Sequence, residues 1–265
     1  MFYDASQHPI YDKLWFVDKA FGVETVIDFG CADGFLRDFV HEFMGLVQYI
    51  GYDVSSVLKA NELEDKDDAV ETDDFFTSKW KVVEKALENS RSAMIVFSSV
   101  LNEIYAYMPR NEANAFFQKV IKNKNIKYVA IRDMFVATEK DNPLATKQAL
   151  HQLTNAIATH SDDMKRRYEE FQQLYKNTSF EGVMHFILKC QYTNNWDREL
   201  KQNYLAFMQN FNGPIQDILR KQGYIHQFSD YYTLQYLSDM TKEEFGISLN
   251  DIKMKTHIKT LWKRD

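Results

Sequence analysis

The chain has 265 residues, enough for one large domain or one domain with a sizeable insertion, and its 45% hydrophobic and 26% charged residues are ordinary for a globular protein. No apolar run approaches the roughly 20 residues that cross a bilayer, the first residues MFYDASQHPIYDKLW lack the basic-then-apolar order of a secretory signal, and Cys31 and Cys190 form no CxxC pair, so a membrane span, a disulfide scaffold and a zinc ribbon are disfavoured and the cytoplasm is the expected location. The net charge of −6 is uneven, with 17 acids and 5 bases in residues 1–75 and a basic excess scattered thereafter, a pattern that solvated helix faces and a basic final strand explain more simply than a nucleic-acid surface.

Residues 9–21 read as a helix, with Leu14, Val17, Ala20 and Phe21 at helical spacing and Gly22 as its stop. ETVIDFG is a short buried strand, CADGFLRDFVHEFM a turn into a helix, and LVQYIGYD a second strand. Residues 54–60 suggest a helical turn or two, Glu62–Asp68 an acidic loop, and Ala69–Thr72 a third strand. A helix near 78–89, a strand in SAMIVFSS, a helix over roughly 109–124 and a strand in IKYVAIRDMFV follow. Beyond residue 136 the chain is polar and helical to about 176 and helical again over 180–205, with a break near Tyr192–Asn195. Asn212-Gly213-Pro214 breaks the pattern, a helix covers 214–222, and Gly223 holds its C-cap position. YIHQFSDYYTL and KTHIKTLWK read as two strands joined through a short helix.

Strands alternating with helices predict an α/β fold: a doubly wound, mostly parallel sheet closed by an antiparallel strand. Right-handed crossovers put the carboxyl ends of the parallel strands on one edge, where ligands of such sheets sit. The residues just after each strand are therefore the candidates.

The first strand ends in Asp28-Phe29-Gly30-Cys31-Ala32-Asp33-Gly34, where two glycines frame a turn that brings backbone close to a ligand. Asp53 ends the second strand, at the spacing where a carboxylate meets a ribose diol; a helix N-cap is its alternative role. The dinucleotide turn GxGxxG is broken by Ala32, and Asp33 stands where a pyrophosphate would approach, so a cationic or zwitterionic ligand suits this turn better.

In this order the motifs resemble class I S-adenosylmethionine-dependent methyltransferases, over about residues 9–136 and 213–264. The resemblance implies a Rossmann-like, seven-stranded sheet with an antiparallel last strand and S-adenosyl-L-methionine as cofactor. It implies cofactor contacts from Asp28, Gly30, Cys31, Ala32 and Gly34, from Asp53 and Val54 at the ribose, from Asp73, Asp74 and Phe75 at the adenine, and from Ser98 and Ser99 at the methionine part and substrate. Asp73 and Asp74 serve equally as solvated acids, and Ser98 and Ser99 as strand-end backbone partners. A general base is optional in methyl transfer, since alignment and desolvation do much of the work. Glu103, Tyr105, Arg132 and Asp133 are the catalytic candidates at the proper edge; each suits an ion pair, a cap or packing as well. No thiol or metal chemistry is expected.

The place after the fourth strand reads Ser-Ser-Val-Leu, without the Asn/Asp-Pro-Pro-Tyr/Phe of amino-methylating DNA enzymes, and the Pro-Cys of cytosine-C5 enzymes is absent. Residues 137–211 form a helical cap between strands five and six, its nine acids and nine bases giving no basic platform. Its aromatics pack it against the sheet or stack on a planar substrate. The expected acceptor is an O or N atom of a small molecule; RNA, a nucleotide, a protein or a non-catalytic binding role are the alternatives.

Overall fold

The computed structural model describes residues 12–54, 74–138, 143–176, 178–190, 205–233 and 235–265. Seven strands form one sheet: β1 (Thr25–Phe29), β2 (Gln48–Tyr52), β3 (Phe75–Thr77), β4 (Ala93–Ser98), β5 (Ile126–Thr138), β6 (Tyr224–Tyr232) and β7 (Met254–Arg264). Their order is β3-β2-β1-β4-β5-β7-β6, and β7 runs antiparallel to both of its neighbours. β1, β2, β4 and β5 are buried on both faces and accordingly read as near-continuous apolar runs.

Alternation of side chains divides the core. On one face Ile27, Phe29, Ile95, Phe97, Val129 and Ile131 meet α2 (Trp80–Asn89), α3 (Leu101–Tyr107) and α4 (Arg110–Ile121). On the other, Val26, Tyr49, Met94, Val96 and Ala130 meet α1 (Leu36–Met44) and the segment 12–23. That segment begins helically and continues in tight turns, with Val17 and Lys19 donating to carbonyls three residues back, rather than as the single helix expected over 9–21.

The insertion contains α5 (Pro143–His160), α6 (Asp162–Tyr175) and α7 (Phe180–His185), the last continuing into a wide turn over Phe186–Cys190. Ser161 separates α5 from α6, its hydroxyl accepting from the Met164 N–H at 3.1 Å. Phe171, Phe180, Phe186 and Leu153 close a second buried cluster that joins the sheet through Val136 and Met254. The described aromatics of the insertion thus pack it; Tyr192, Trp196 and Tyr204 lie outside the described residues.

Asn212 and Gly213 leave helical geometry between α8 (Ala206–Asn210) and α9 (Gln216–Lys221), as a Gly-Pro pair dictates. Gly223, at φ +82°, closes α9 by donating to Arg220 O. The last helix, α10 (Gln235–Phe245), links β6 to β7.

Two further sequence expectations change. The third strand is the triplet Phe75-Phe76-Thr77, whereas Ala69–Thr72 lies outside the described residues. α3 is an additional helix directly after β4, because Leu101 and Tyr105 bury one side of what reads locally as a loop.

Candidate functional site

The turn after β1 is held from two sides. Gly30 and Cys31 both donate to Tyr52 O, at 2.7 and 3.2 Å, and Gly34 donates to Cys31 O at 2.9 Å. Gly30 and Gly34 have φ of +80° and +73°, and Ala32 follows them into the left-handed region at +51°. The Asp53 carboxylate, at the tip of β2, accepts from the Ala32 N–H at 2.8 Å. An acid reached through 21 residues of chain is therefore tied to the glycine turn. Its alternative N-cap role would involve residues 55–73, outside the described residues.

The glycines face protein. A Cβ on Gly30 would stand 2.7 Å from Val100 Cγ2, and one on Gly34 would stand 2.1 Å from Phe76 Cε1. Cys31 is buried, and burial followed by Asp28 and Asp53 pushes its thiol far up, which leaves it inert. Val54 is exposed beside Asp53.

Asp28 lies beneath the turn, 3% exposed, and accepts from Tyr49 Oη at 2.6 Å. Burial raises its carboxyl to about 6 against the opposing effects of that hydrogen bond and Lys13.

After β4 the chain turns sharply. Ser99 sits at φ +60°, its N–H donates to Arg132 O at 2.7 Å, and its hydroxyl accepts from Arg132 Nη1 at 2.9 Å. Ser98 Oγ is buried without a hydrogen-bond partner among the described residues. The indole N–H of Trp80 at the start of α2 is the same, its ring 5.3 Å from Tyr52 and 5.8 Å from Phe29. Sequence reading missed Trp80; its place at the first position of a helix following a strand was the available signal.

The four catalytic candidates separate. Asp133 is fully buried and accepts from Asn102 N at 2.9 Å, Asn102 Nδ2 at 2.6 Å and Met134 N at 2.7 Å, so it anchors the first turn of α3 from the neighbouring strand. Tyr105 is buried, donates to Asn114 Oδ1 at 2.8 Å and joins α3 to α4. Both side chains are buried and engaged within the protein. Arg132 is buried in a cluster with Asp12, which the sequence did not single out: Nε reaches Asp12 Oδ2 at 2.5 Å, while Lys259 Nζ lies 2.6 Å from Oδ1 and Tyr232 Oη donates to Oδ2 at 2.9 Å. Glu103 remains exposed in the first turn of α3.

The adenine-side residues are also corrected. With β3 at Phe75–Thr77, Asp74 precedes the strand at the opposite edge of the sheet, where it accepts from Tyr49 N at 2.8 Å and pairs with His41 Nε2 at 2.7 Å. Phe75 is a buried strand residue paired with Ile50, and Asp73 lies outside the described residues. Ser78, which follows β3, takes that position at the carboxyl edge.

The His41–Asp74 pair has a pH consequence. The Asp74 hydrogen bond raises His41 above its ordinary 6.5. Its stabilisation is complete below that value and lost as pH rises through the folded-state value. Because both side chains are partly exposed, the loss is expected to stay below about 1 kcal/mol. Urea unfolding of wild type and Asp74→Asn across this range should show it in wild type alone; parallel curves would refute the coupling.

No family model matches the sequence, and no curated protein matches it. Among solved structures the chain is similar to the methyltransferase domain of bacterial CtHen1-C, at 14% identity and a TM-score of 0.47, covering 96% of this chain and 95% of that one. It is similar to a SAM dependent methyltransferase from Archaeoglobus fulgidus, at 11% identity and a TM-score of 0.45, covering 96% and 92%. It is also similar to a pericyclic reaction enzyme, at 11% identity and a TM-score of 0.41, covering 97% of this chain and 47% of that one. Likeness at this level assigns no chemistry; the geometry of the chain's own residues has to carry it.

Proposed function

We propose that this chain is an S-adenosylmethionine-dependent methyltransferase acting on an O or N atom of a small molecule. One observation carries the reading: an acid at the tip of β2, Asp53, is hydrogen-bonded to the glycine turn after β1 at the carboxyl edge of the sheet. A carboxylate there suits a ribose diol, and the neighbouring acids Asp28 and Asp33 suit a cationic amino acid and oppose a pyrophosphate.

The residues present fit such a cofactor. Ser98 Oγ and Trp80 Nε1 are buried polar atoms without partners among the described residues, at the ends of elements that meet this edge. Asp53 would hold the ribose, the backbone of Gly30–Ala32 would border it, and Ser98 and Asp28 would face the amino-acid part. The cofactor supplies a methyl group already activated on a sulfonium.

The protein's task is then alignment and exclusion of water. Arg132 fixes Ser99, and Asp133 fixes Asn102, so the loop between β4 and α3 is pinned from both faces of β5. Both contacts position the loop, and Glu103 stands exposed beside it in the first turn of α3. The helical insertion 137–211 would act as a cap at the end of β5. A small acceptor is favoured over RNA because two of the four bases on the last strand spend their charge internally: Lys259 binds Asp12, and Arg264 donates to the carbonyls of Ile121 and Asn123.

Thermal unfolding with S-adenosylmethionine, its demethylated product or NADH tests the reading. A ligand at about 100 times its dissociation constant should add about 2.7 kcal/mol. We expect this from both adenosyl compounds, not from NADH, and not in Asp53→Ala. A protein purified without bound cofactor that ignores both adenosyl compounds would refute it.

A further inference from the structure

The Asp12 carboxylate receives Arg132 Nε and Nη2 at 2.5 Å each, Tyr232 Oη at 2.9 Å and Lys259 Nζ at 2.6 Å. All of these donors stand on neighbouring strands, β5, β7 and β6, where Arg132 pairs with Lys259 in the sheet ladder. The side chains of Arg132 and Lys259 are only 7% and 15% exposed. The acceptor alone comes from outside the sheet.

The donors therefore form a rigid, half-fork site for one carboxylate. Burial opposes the charges on both partners, yet their mutual attraction wins: Asp12 is held below the ordinary carboxylate range and Arg132 above its own. Protonation therefore does not empty this site at neutral pH.

Three further observations point to an external ligand. Arg132 pairs with Ser98 across the β4–β5 ladder and binds Ser99, so the site adjoins the loop that the proposed transfer uses. A cavity of about 410 Å³ reaches Asp12 and Lys259, walled by Trp15 and Phe228, whose rings stack at 5.6 Å, with Asp230 and Lys19 at its border. His257, beside Tyr232, is driven down to about 3 by burial and then by Arg132, so it adds no charge. Asp133 also acts on Arg132 through space, and Asp230 pairs with Lys259 in the ladder and lines the cavity with Asp18, so an incoming carboxylate has to replace Asp12 rather than join it.

We propose that Arg132, Tyr232 and Lys259 form a carboxylate-binding site, filled by Asp12 in the free protein and by the carboxylate of the methyl acceptor when it binds. The acceptor clause rests on the methyltransferase reading; the carboxylate site does not.

Benzoate is the probe, its ring matched to the Trp15–Phe228 wall, with chloride at equal ionic strength as control. Thermal unfolding and the Arg132 Nε–H signal in ¹H–¹⁵N spectra, assigned with Arg132→Lys, are the readouts. Benzoate should move that signal in wild type and bind Asp12→Asn about tenfold more tightly. Lys259→Met should weaken the response. A wild-type signal that benzoate leaves in place overturns the proposal, and this arm stands even if Asp12→Asn does not fold. A folded Asp12→Asn that benzoate stabilises no more than chloride overturns it as well. S-adenosylmethionine is titrated in parallel. Benzoate binding without any response to it keeps the carboxylate site and removes the acceptor clause.

Discussion

A methyl group placed on Gly51 is expected to destabilise the fold by about 3 kcal/mol, the upper part of the usual range for overpacking a core. Gly51 lies within β2, paired with Asp28 on one side and Phe76 on the other. Its Cβ would stand 2.3 Å from Phe76 Cδ1 and 2.9 Å from Cys31 Sγ. The same ring blocks Gly34, where the gap would be 2.1 Å. Phe76 therefore lies across two glycines and supports the turn from below. Gly34→Ala should cost a similar amount, but for two reasons, since its φ of +73° adds about 1 kcal/mol for an L side chain. A double-mutant cycle separates them. In a Phe76→Leu background most of the Gly51→Ala cost should vanish, a coupling above about 1 kcal/mol. Gly34→Ala should keep its backbone penalty there. If Gly51→Ala costs as much without the ring as with it, Phe76 is not the obstacle.

What was legible in the sequence was local. The apolar runs of β1, β4 and β5, the glycine turn and the acid ending β2 follow from patterns a few residues long. Gly30 and Gly34 read as room for a ligand, whereas the structure gives that room to Val100 and Phe76. The difference is one of partners: a missing Cβ announces a close approach without saying by what. The acidic stretch after β2 hides the strand at Phe75–Thr77, since three residues carry little periodicity. With the strand starting at Phe75, Asp74 stands at the edge opposite the proposed ligand, beside His41. Asp12 was invisible as a site residue since its partners lie 120 and 220 positions away. Arg132 and Asp133 are adjacent in sequence, yet alternation along the strand turns Asp133 to Asn102 of α3 and Arg132 to Ser99 and Asp12.

The second large effect concerns Asp28, whose burial raises its carboxyl from 3.8 to about 6. A carboxyl raised in the folded state gives stability that is complete below 3.8 and lost as pH rises through about 6. The displacement corresponds to about 3 kcal/mol, carried as a burden at pH 8. Asp28→Asn keeps an oxygen for the Tyr49 hydroxyl and removes the buried charge. It is expected to be more stable than wild type at pH 8 by about 1–3 kcal/mol, with the advantage shrinking to nothing or reversing near pH 4. Chemical denaturation at both pH values measures this directly. Burdens of this kind gather where a charge serves a ligand. The same variant should therefore lose most of its stabilisation by S-adenosylmethionine, and wild type should bind that compound less well below pH 6, where Asp28 takes up a proton. Greater stability with weakened binding would place the carboxylate in the service of a cationic ligand. A variant that gains stability yet binds as before would assign the buried charge to the fold alone, and one less stable at pH 8 would show that the Tyr49 pair outweighs burial.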